Sequence, residues 1–247
     1  MKHYAAYCFD LYGTLVDIHT DETRSGFWKA LCGVFARMGA KEVPGGRVLR
    51  EHYLALVRIK EHSLQAAHPG AAVEIELREV FSALLQQMGA EVSAEKVDLL
   101  ARDFRRLSAT HLRAYAGAGE LLRSLRSAGA GVYLFSNAQR CFTEPELRSL
   151  GLWECFDGIF ISSDIGFQKP DPGFYKAALA GTGLLPEDCL MIGNDPVCDI
   201  LGAVKAGMDA FYVHSGLTPK DAPDPMQLPA VGFLPTMDLR RLRQLLI

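Results

Sequence analysis

Short apolar runs that stop at a polar residue or a glycine, with helical stretches between them, constrain this chain more than any other feature. Tyr4 to Phe9 is the first such run, too short for a buried helix and closed at once by Asp10-Leu11-Tyr12-Gly13-Thr14. Val132 to Phe135 reaches Ser136, Gly158 to Ser162 follows, Leu190 to Ile192 reaches Gly193, and Ala210 to Val213 is the last. Helical patterns fill the gaps at Gly119–Ala128, Glu144–Leu150, Pro172–Ala180 and Asp199–Ala206. This alternation predicts an α/β fold, a doubly wound, Rossmann-like parallel sheet. Thr218 to Pro235 carries five prolines and reads as a surface excursion, and Asp238 to Leu246 as a closing helix.

Between the first strand and the rest, the period changes from two to three and four. Phe27, Leu31, Val34, Phe35 and Met38 mark one amphipathic helix, ending near Gly39. Leu49, Tyr53, Leu56 and Val57 mark a second, and Leu77, Val80, Phe81, Leu84, Leu85 and Met88 a third. Ser93, followed by Glu95, reads as the N-cap of a fourth through Val97, Leu100, Phe104 and Leu107. Four helices with no strand between them predict a small bundle over 19–113, inserted into a sheet domain built from 1–18 and 114–247. An insert leaving from the end of the first strand lies over that strand end as a lid, able to exclude water and select a ligand.

Composition removes several classes of partner. Half of the chain is apolar (49%) and the formal charge is only −3, with no long run of like charges, so neither nucleic acid nor a membrane surface is an expected partner. No stretch is apolar for long enough to span a bilayer. Met1 to Tyr4 leads directly into the first predicted strand, leaving no room for a signal peptide. The six cysteines are scattered without a Cys-x-x-Cys pair, as reduced core thiols would be, so the expected location is cytoplasmic.

A carboxylate where a parallel strand ends lies at the rim where open α/β sheets hold ligands. Asp10 there is a candidate nucleophile, able to divide one hard displacement into two easier ones through a covalent intermediate. Gly13 permits the tight turn, and the Thr14 hydroxyl can bond the carboxylate or the turn backbone. Three further blocks follow in order: Ser136-Asn137, Lys169-Pro170, and Gly193-Asn194-Asp195-Pro196-Val197-Cys198-Asp199. Lys169 stands just ahead of a helix N-terminus, a place that favours anions. Asp195 and Asp199 would share one helix face, while Asp195 alone could equally be an N-cap.

In this order the four blocks resemble the haloacid dehalogenase superfamily of hydrolases, in its subgroup with a helical cap after the first block. The resemblance implies Asp10 as nucleophile, with Tyr12 and Thr14 beside it. Ser136 and Asn137 would bind a substrate oxygen, and Lys169 would offset the charge of Asp10 and of a small anionic substrate. For phosphatase members it further implies Mg²⁺ held by Asp10, the Tyr12 backbone carbonyl, Asn194, Asp195 and Asp199. Asn194 replaces the usual aspartate and brings an oxygen without a charge. With Asp10, Asp195 and Asp199 in the pocket, Lys169 leaves two negative units, so either Mg²⁺ or a lid arginine is needed; Arg24, Arg58 and Arg78 are the candidates.

One position departs from the phosphatase pattern. Those members carry an aspartate as general acid and base two residues after the nucleophile, where this chain has Tyr12. Asp17 is no evident replacement. The 2-haloacid dehalogenases have a tyrosine at that position and another at the spacing of Tyr175. The leading expectation is Mg²⁺-dependent hydrolysis of a small phosphate ester or acyl phosphate. An (S)-2-haloacid dehalogenase and a non-catalytic binding protein on the same fold are the alternatives.

Overall fold

A computed structural model describes residues 2–247. The chain opens with β1 (Ala6–Phe9) and β2 (Val16–Thr20). Four helices follow, α1 (Phe27–Arg37), α2 (Gly46–Ala67), α3 (Leu77–Gln87) and α4 (Ala94–Ser108), and then β3 (Ala109–Ala114). Next come α5 (Ala118–Ser127), β4 (Gly131–Ser136), α6 (Arg140–Ser149), β5 (Gly158–Ile161), α7 (Ser162–Ile165) and α8 (Pro172–Thr182). The last elements are β6 (Cys189–Gly193), α9 (Gly202–Lys205), β7 (Asp209–Val213), β8 (Gly232–Leu234) and α10 (Leu239–Leu246).

Six strands form one parallel sheet in the order β5-β4-β1-β6-β7-β8. The central strands β1 and β6 are buried on both faces, and the period of two divides the strand residues between two apolar clusters. Tyr7 and Phe9 of β1 join Val132, Leu134, Leu190 and Ile192 on one face. Ala6 and Cys8 join Phe135, Cys189 and Met191 on the other. The helices α1 to α4 pack around a third cluster of their own, which takes in Cys141 and Phe142 from α6. Phe27, Phe81 and Phe104 in it are at most 2% exposed. A large apolar side chain buried to that degree contributes about 1.5–3 kcal/mol, so this layer is held by its own core, which extends into the sheet domain through α6. The predicted Ser93 cap is present, Oγ accepting from Lys96 N at 3.2 Å, and the structure adds Asp171 as the cap of α8, with Pro172 in the first turn. Among the described residues no helix is long and apolar enough to cross a membrane.

Three expectations require correction. β2 and β3 pair antiparallel as a ribbon at the root of the helical layer, where the sequence indicated no strands. A two-stranded ribbon with half-exposed faces carries little apolar periodicity to read. The proline-rich excursion contains β8, a three-residue edge strand on β7. Finally, Asp195 and Asp199 do not share the face of a regular α-helix. Asp195 precedes a wide, π-type turn over Pro196–Leu201, and α9 begins only at Gly202.

Candidate active site

The sheet order brings the sequence blocks together. β1 lies between β4 and β6, and Phe9 is level with Leu134 on one side and Ile192 on the other. Asp10, Ser136 and Asn194 therefore emerge side by side at the C-terminal edge, where the chain direction divides to the two sides of β1. Asp10 N donates to Ile192 O at 2.9 Å, which fixes the backbone of the candidate nucleophile to β6. Gly13 turns the chain with φ 90°, and a Cβ there would lie 2.5 Å from the Asn194 side chain. Only glycine satisfies both demands.

Lys169 is the electrostatic centre. Its ammonium, 1% exposed, donates to Asp10 Oδ1 at 2.9 Å, Asp199 Oδ1 at 2.6 Å and the Phe135 carbonyl at 2.7 Å. Burial alone would lower the lysine pKa, but the two carboxylates outweigh it and hold it above the ordinary lysine range. Burial pushes the Asp199 carboxyl up to about 7, with Lys169 opposing. Its other oxygen, Oδ2, accepts from Asp195 N at 2.9 Å. A Cβ at Gly193 would lie 2.1 Å from that oxygen, so the small residue there is what admits Asp199.

On the far side of Asp10, Thr14 Oγ1 lies 3.3 Å from Asp10 Oδ2 and 3.0 Å from Asn194 Oδ1. Ser136 is fully buried, and its hydroxyl has no hydrogen-bond partner among the described residues. Such a group costs about 1–3 kcal/mol, and at the end of β4, one residue after the Phe135 carbonyl that accepts from Lys169, it retains a free donor for a ligand oxygen.

Other expected residues stand in different roles. Asn137 accepts from Lys169 N at 2.7 Å and donates to Lys169 O at 2.8 Å, so its amide is spent on the lysine backbone. Asp195 Oδ1 accepts from Val197 N and Cys198 N, both at 2.8 Å, which is the N-cap alternative. Asp195 Oδ1 is thus turned onto the backbone, and both oxygens of Asp199 accept hydrogen bonds, Oδ1 from the Lys169 ammonium and Oδ2 from Asp195 N. Among the described residues, no group of three or more His, Cys, Asp or Glu side chains is arranged to hold a metal ion. Asp10 Oδ2 and Asn194 Oδ1 nevertheless converge on one hydroxyl, and the Tyr12 carbonyl accepts no hydrogen bond among the described residues. Three hard oxygens of this kind fit Mg²⁺, which retains several of its waters. Tyr175 donates to Cys198 O at 2.6 Å within the core. Asp17 pairs with Arg113 at 2.7 Å and His111 at 3.2 Å on the ribbon.

The candidate lid arginines do not converge on Asp10. Arg24 donates to Leu107 O, Arg78 pairs with Asp98, and Arg58 is exposed. Arg105 of α4, absent from the sequence reading, meets the sheet domain instead. Its guanidinium lies 6.0 Å from the centre of the Tyr12 ring and 4.3 Å from that of Phe142, with Nε 2.8 Å from Glu146 Oε1. Tyr12 itself donates to Glu146 and lies 3.3 Å from Thr143 Oγ1. Glu146 had one legible signal: it falls four residues after Phe142 on the buried face of α6, where the period calls for an apolar side chain. Arg105, flanking the apolar stripe of α4, had none.

Comparison with known proteins follows the same lines. A phosphoserine phosphatase of Thermus thermophilus is 32% identical over 144 residues, 58% of this chain and 56% of that one. A glyceraldehyde 3-phosphate phosphatase of Methanothermobacter thermautotrophicus is 36% identical over 107 residues, 43% of this chain and 47% of that one. The chain thus spans about half the length of these two relatives. A pyrimidine 5'-nucleotidase of Streptococcus pneumoniae is 27% identical over 207 residues, 83% of this chain and 82% of that one. Among solved structures, an L-2-haloacid dehalogenase superposes with a TM-score of 0.59 at 20% identity, covering 99% of each chain, a likeness of fold. The model of haloacid dehalogenase-like hydrolases matches residues 4–207. That span runs from the first strand past Asp199 and takes in all four sequence blocks, so the chain belongs to the haloacid dehalogenase-like hydrolases.

Proposed function

We propose that this hydrolase acts on small phosphate monoesters or acyl phosphates with Mg²⁺, carrying the phosphoryl group covalently on Asp10. The observation that carries this reading is the buried convergence of Asp10, a charged Lys169 and the unpartnered Ser136 hydroxyl at one strand edge. Asp10 attacks phosphorus as the bond to the leaving group breaks, and water then attacks the acyl phosphate, releasing phosphate and restoring the carboxylate. Lys169 fixes Asp10 Oδ1 and offsets its charge, and Ser136 donates to a phosphoryl oxygen. With Asp195 committed to the backbone, Asp10 and Asp199 against Lys169 leave one negative unit in the pocket. Asp10, Asn194 and the Tyr12 carbonyl would hold the Mg²⁺. When bound, the ion neutralises that charge and the oxygens of the substrate. The names of the curated relatives, phosphatases and a nucleotidase, agree with this class of substrate.

Tyr12 narrows the class further. Burial and the neighbouring Glu146 raise its phenol well above the ordinary tyrosine range, which makes it a poor acid. General acid help is worth about 10²–10⁴ in rate, so leaving groups that depart as stable anions are favoured by that order. Acetyl phosphate and p-nitrophenyl phosphate are expected to turn over far faster than simple alkyl phosphates, only with Mg²⁺ and not with a chelator. Asp10→Asn should silence both activities. Unchanged turnover in that variant would discredit the site. The dehalogenase alternative draws on Tyr12, but the Tyr175 hydroxyl is committed to the Cys198 carbonyl. Chelator-resistant chloride release from 2-chloropropionate would overturn the phosphatase reading, and silence across the whole panel would favour a binding protein.

A further inference from the structure

The helical layer meets the sheet domain at two seams. One is the contact of Arg105 with Glu146 and Tyr12. The other is the segment joining α2 to α3, residues Ala71 to Leu77, which lies along the core loops that present Ser136 and Lys169. Val73 bridges antiparallel to Phe167. Glu74 N donates to Gly166 O at 2.9 Å, and Gln168 N to Ala72 O at 2.7 Å. Ala72 N donates in turn to Asp171 Oδ2 at 2.9 Å, so the two neighbours of the Lys169-Pro170 pair are both bonded to the same residue of the insert.

Glu74 reaches the second loop. Its Oε1 accepts from Gln139 Nε2 at 3.0 Å and its Oε2 from Ser162 Oγ at 2.8 Å. Ser162 Oγ accepts from Ala138 N at 2.9 Å, while Gln139 is held again through Ile75 O and Leu77 N at 2.8 and 2.9 Å. Between these points lies Asn137, whose amide brackets the Lys169 backbone. One half-buried carboxylate of the insert thus anchors the residues that follow Ser136, and through Asn137 the residue that carries the ammonium.

We propose that Glu74 is a positioning residue for the hydrolysis, holding the Ser136 and Lys169 loops in register with Asp10. This rests on the function proposed above and deepens it. The helical insert then does more than cover the site, because it completes the alignment of the groups that face the phosphoryl oxygens. A displacement of about 1 Å in such groups is enough to cost 10²-fold in rate.

The test uses the full chain with Glu74→Ala, Glu74→Gln and Ser162→Ala, followed by amide hydrogen exchange and steady-state turnover of p-nitrophenyl phosphate with Mg²⁺. Glu74→Ala should speed exchange in 136–139 and 166–171 about tenfold or more while β1 and β6 hold. Its kcat should fall about tenfold or more with KM within about threefold, and Glu74→Gln, which keeps one acceptor, should lie between. Losses in Glu74→Ala and Ser162→Ala should fall short of multiplying in the double variant, since both break the same link. A Glu74→Ala enzyme with a lowered Tm but unchanged kcat marks a structural contact only and overturns the proposal, as does unchanged exchange in the two loops. If the unsubstituted protein releases no phosphate from any substrate of the panel, the hydrolase reading itself fails, an outcome distinct from an active enzyme indifferent to Glu74.

Discussion

The Lys169 cluster and the Arg105 seam each bring together a cation, a carboxylate and a residue from the first block, and they solve the problem of burial differently. Around Lys169 every proton of the ammonium has an acceptor within 2.9 Å, and the lysine and Asp199 side chains are each 1% exposed. Around Arg105 the side chain as a whole keeps a fifth of its surface, and its buried Nε–H faces Glu146 Oε1 at 2.8 Å without an aligned hydrogen bond. The seam also borders a cavity of about 230 Å³ between α4 and α6. A buried charge tolerates no freedom, because any movement leaves it unpaired, whereas a partly wet pair can exchange partners with solvent or ligand. The Lys169 cluster is therefore held in one geometry, while the Arg105 side of the seam keeps contact with solvent.

The largest effect that could break this contrast is at Lys169. Lys169→Met leaves Asp10 and Asp199 buried without their cation, and breaking a buried pair costs about 3–5 kcal/mol. Thermal unfolding should show that loss as a fall of roughly 10 °C in Tm at this chain length, with activity abolished. Next is Tyr12→Asp, which supplies a carboxyl two residues after Asp10. Turnover of an alkyl phosphate should rise about 10- to 100-fold, at or below the lower end of general acid help, and an unchanged rate would mean that proton supply does not limit the reaction. The smallest effect is expected at Arg105→Met, which keeps the packing on Phe142 and removes a partly exposed charge. It leaves Glu146, 8% exposed, with the Tyr12 hydroxyl as its remaining partner, and should cost about 1–3 kcal/mol, the range for a buried group that loses one partner. A loss matching that of Lys169→Met would show the seam to be as rigid as the site and erase the distinction.

Much of the fold was legible because period and punctuation are local. β1, β4 and β6 are short apolar runs with polar or glycine ends, and α1, α3 and α4 show their buried stripes directly. The β2–β3 ribbon and β8 were not legible, since short strands with exposed faces carry no such pattern. Within the site, Asp10, Ser136 and Lys169 could be singled out as chemical types at strand ends and before a helix. The division of labour among the rest could not. Asn137 and Asp195 are polar residues equally suited to ligand or backbone, and their bonds to the peptide groups of 169 and of 197–198 come from the tertiary fold. Glu74, Arg105 and Glu146 gain their meaning from partners far along the chain.

The sequence by itself determined a parallel α/β sheet, a helical insert after the first strand, and an aspartate-bearing glycine turn at the strand end, because each follows from side-chain period and backbone freedom over a few residues. Only the tertiary structure decided that Lys169 serves Asp10 and Asp199 together, that Asp195 caps a turn, and that the insert grips the loops behind Ser136 and Lys169. Hydrogen bonds and charge pairs act over about 3 Å, and which groups come that close is set by the packing of the whole chain.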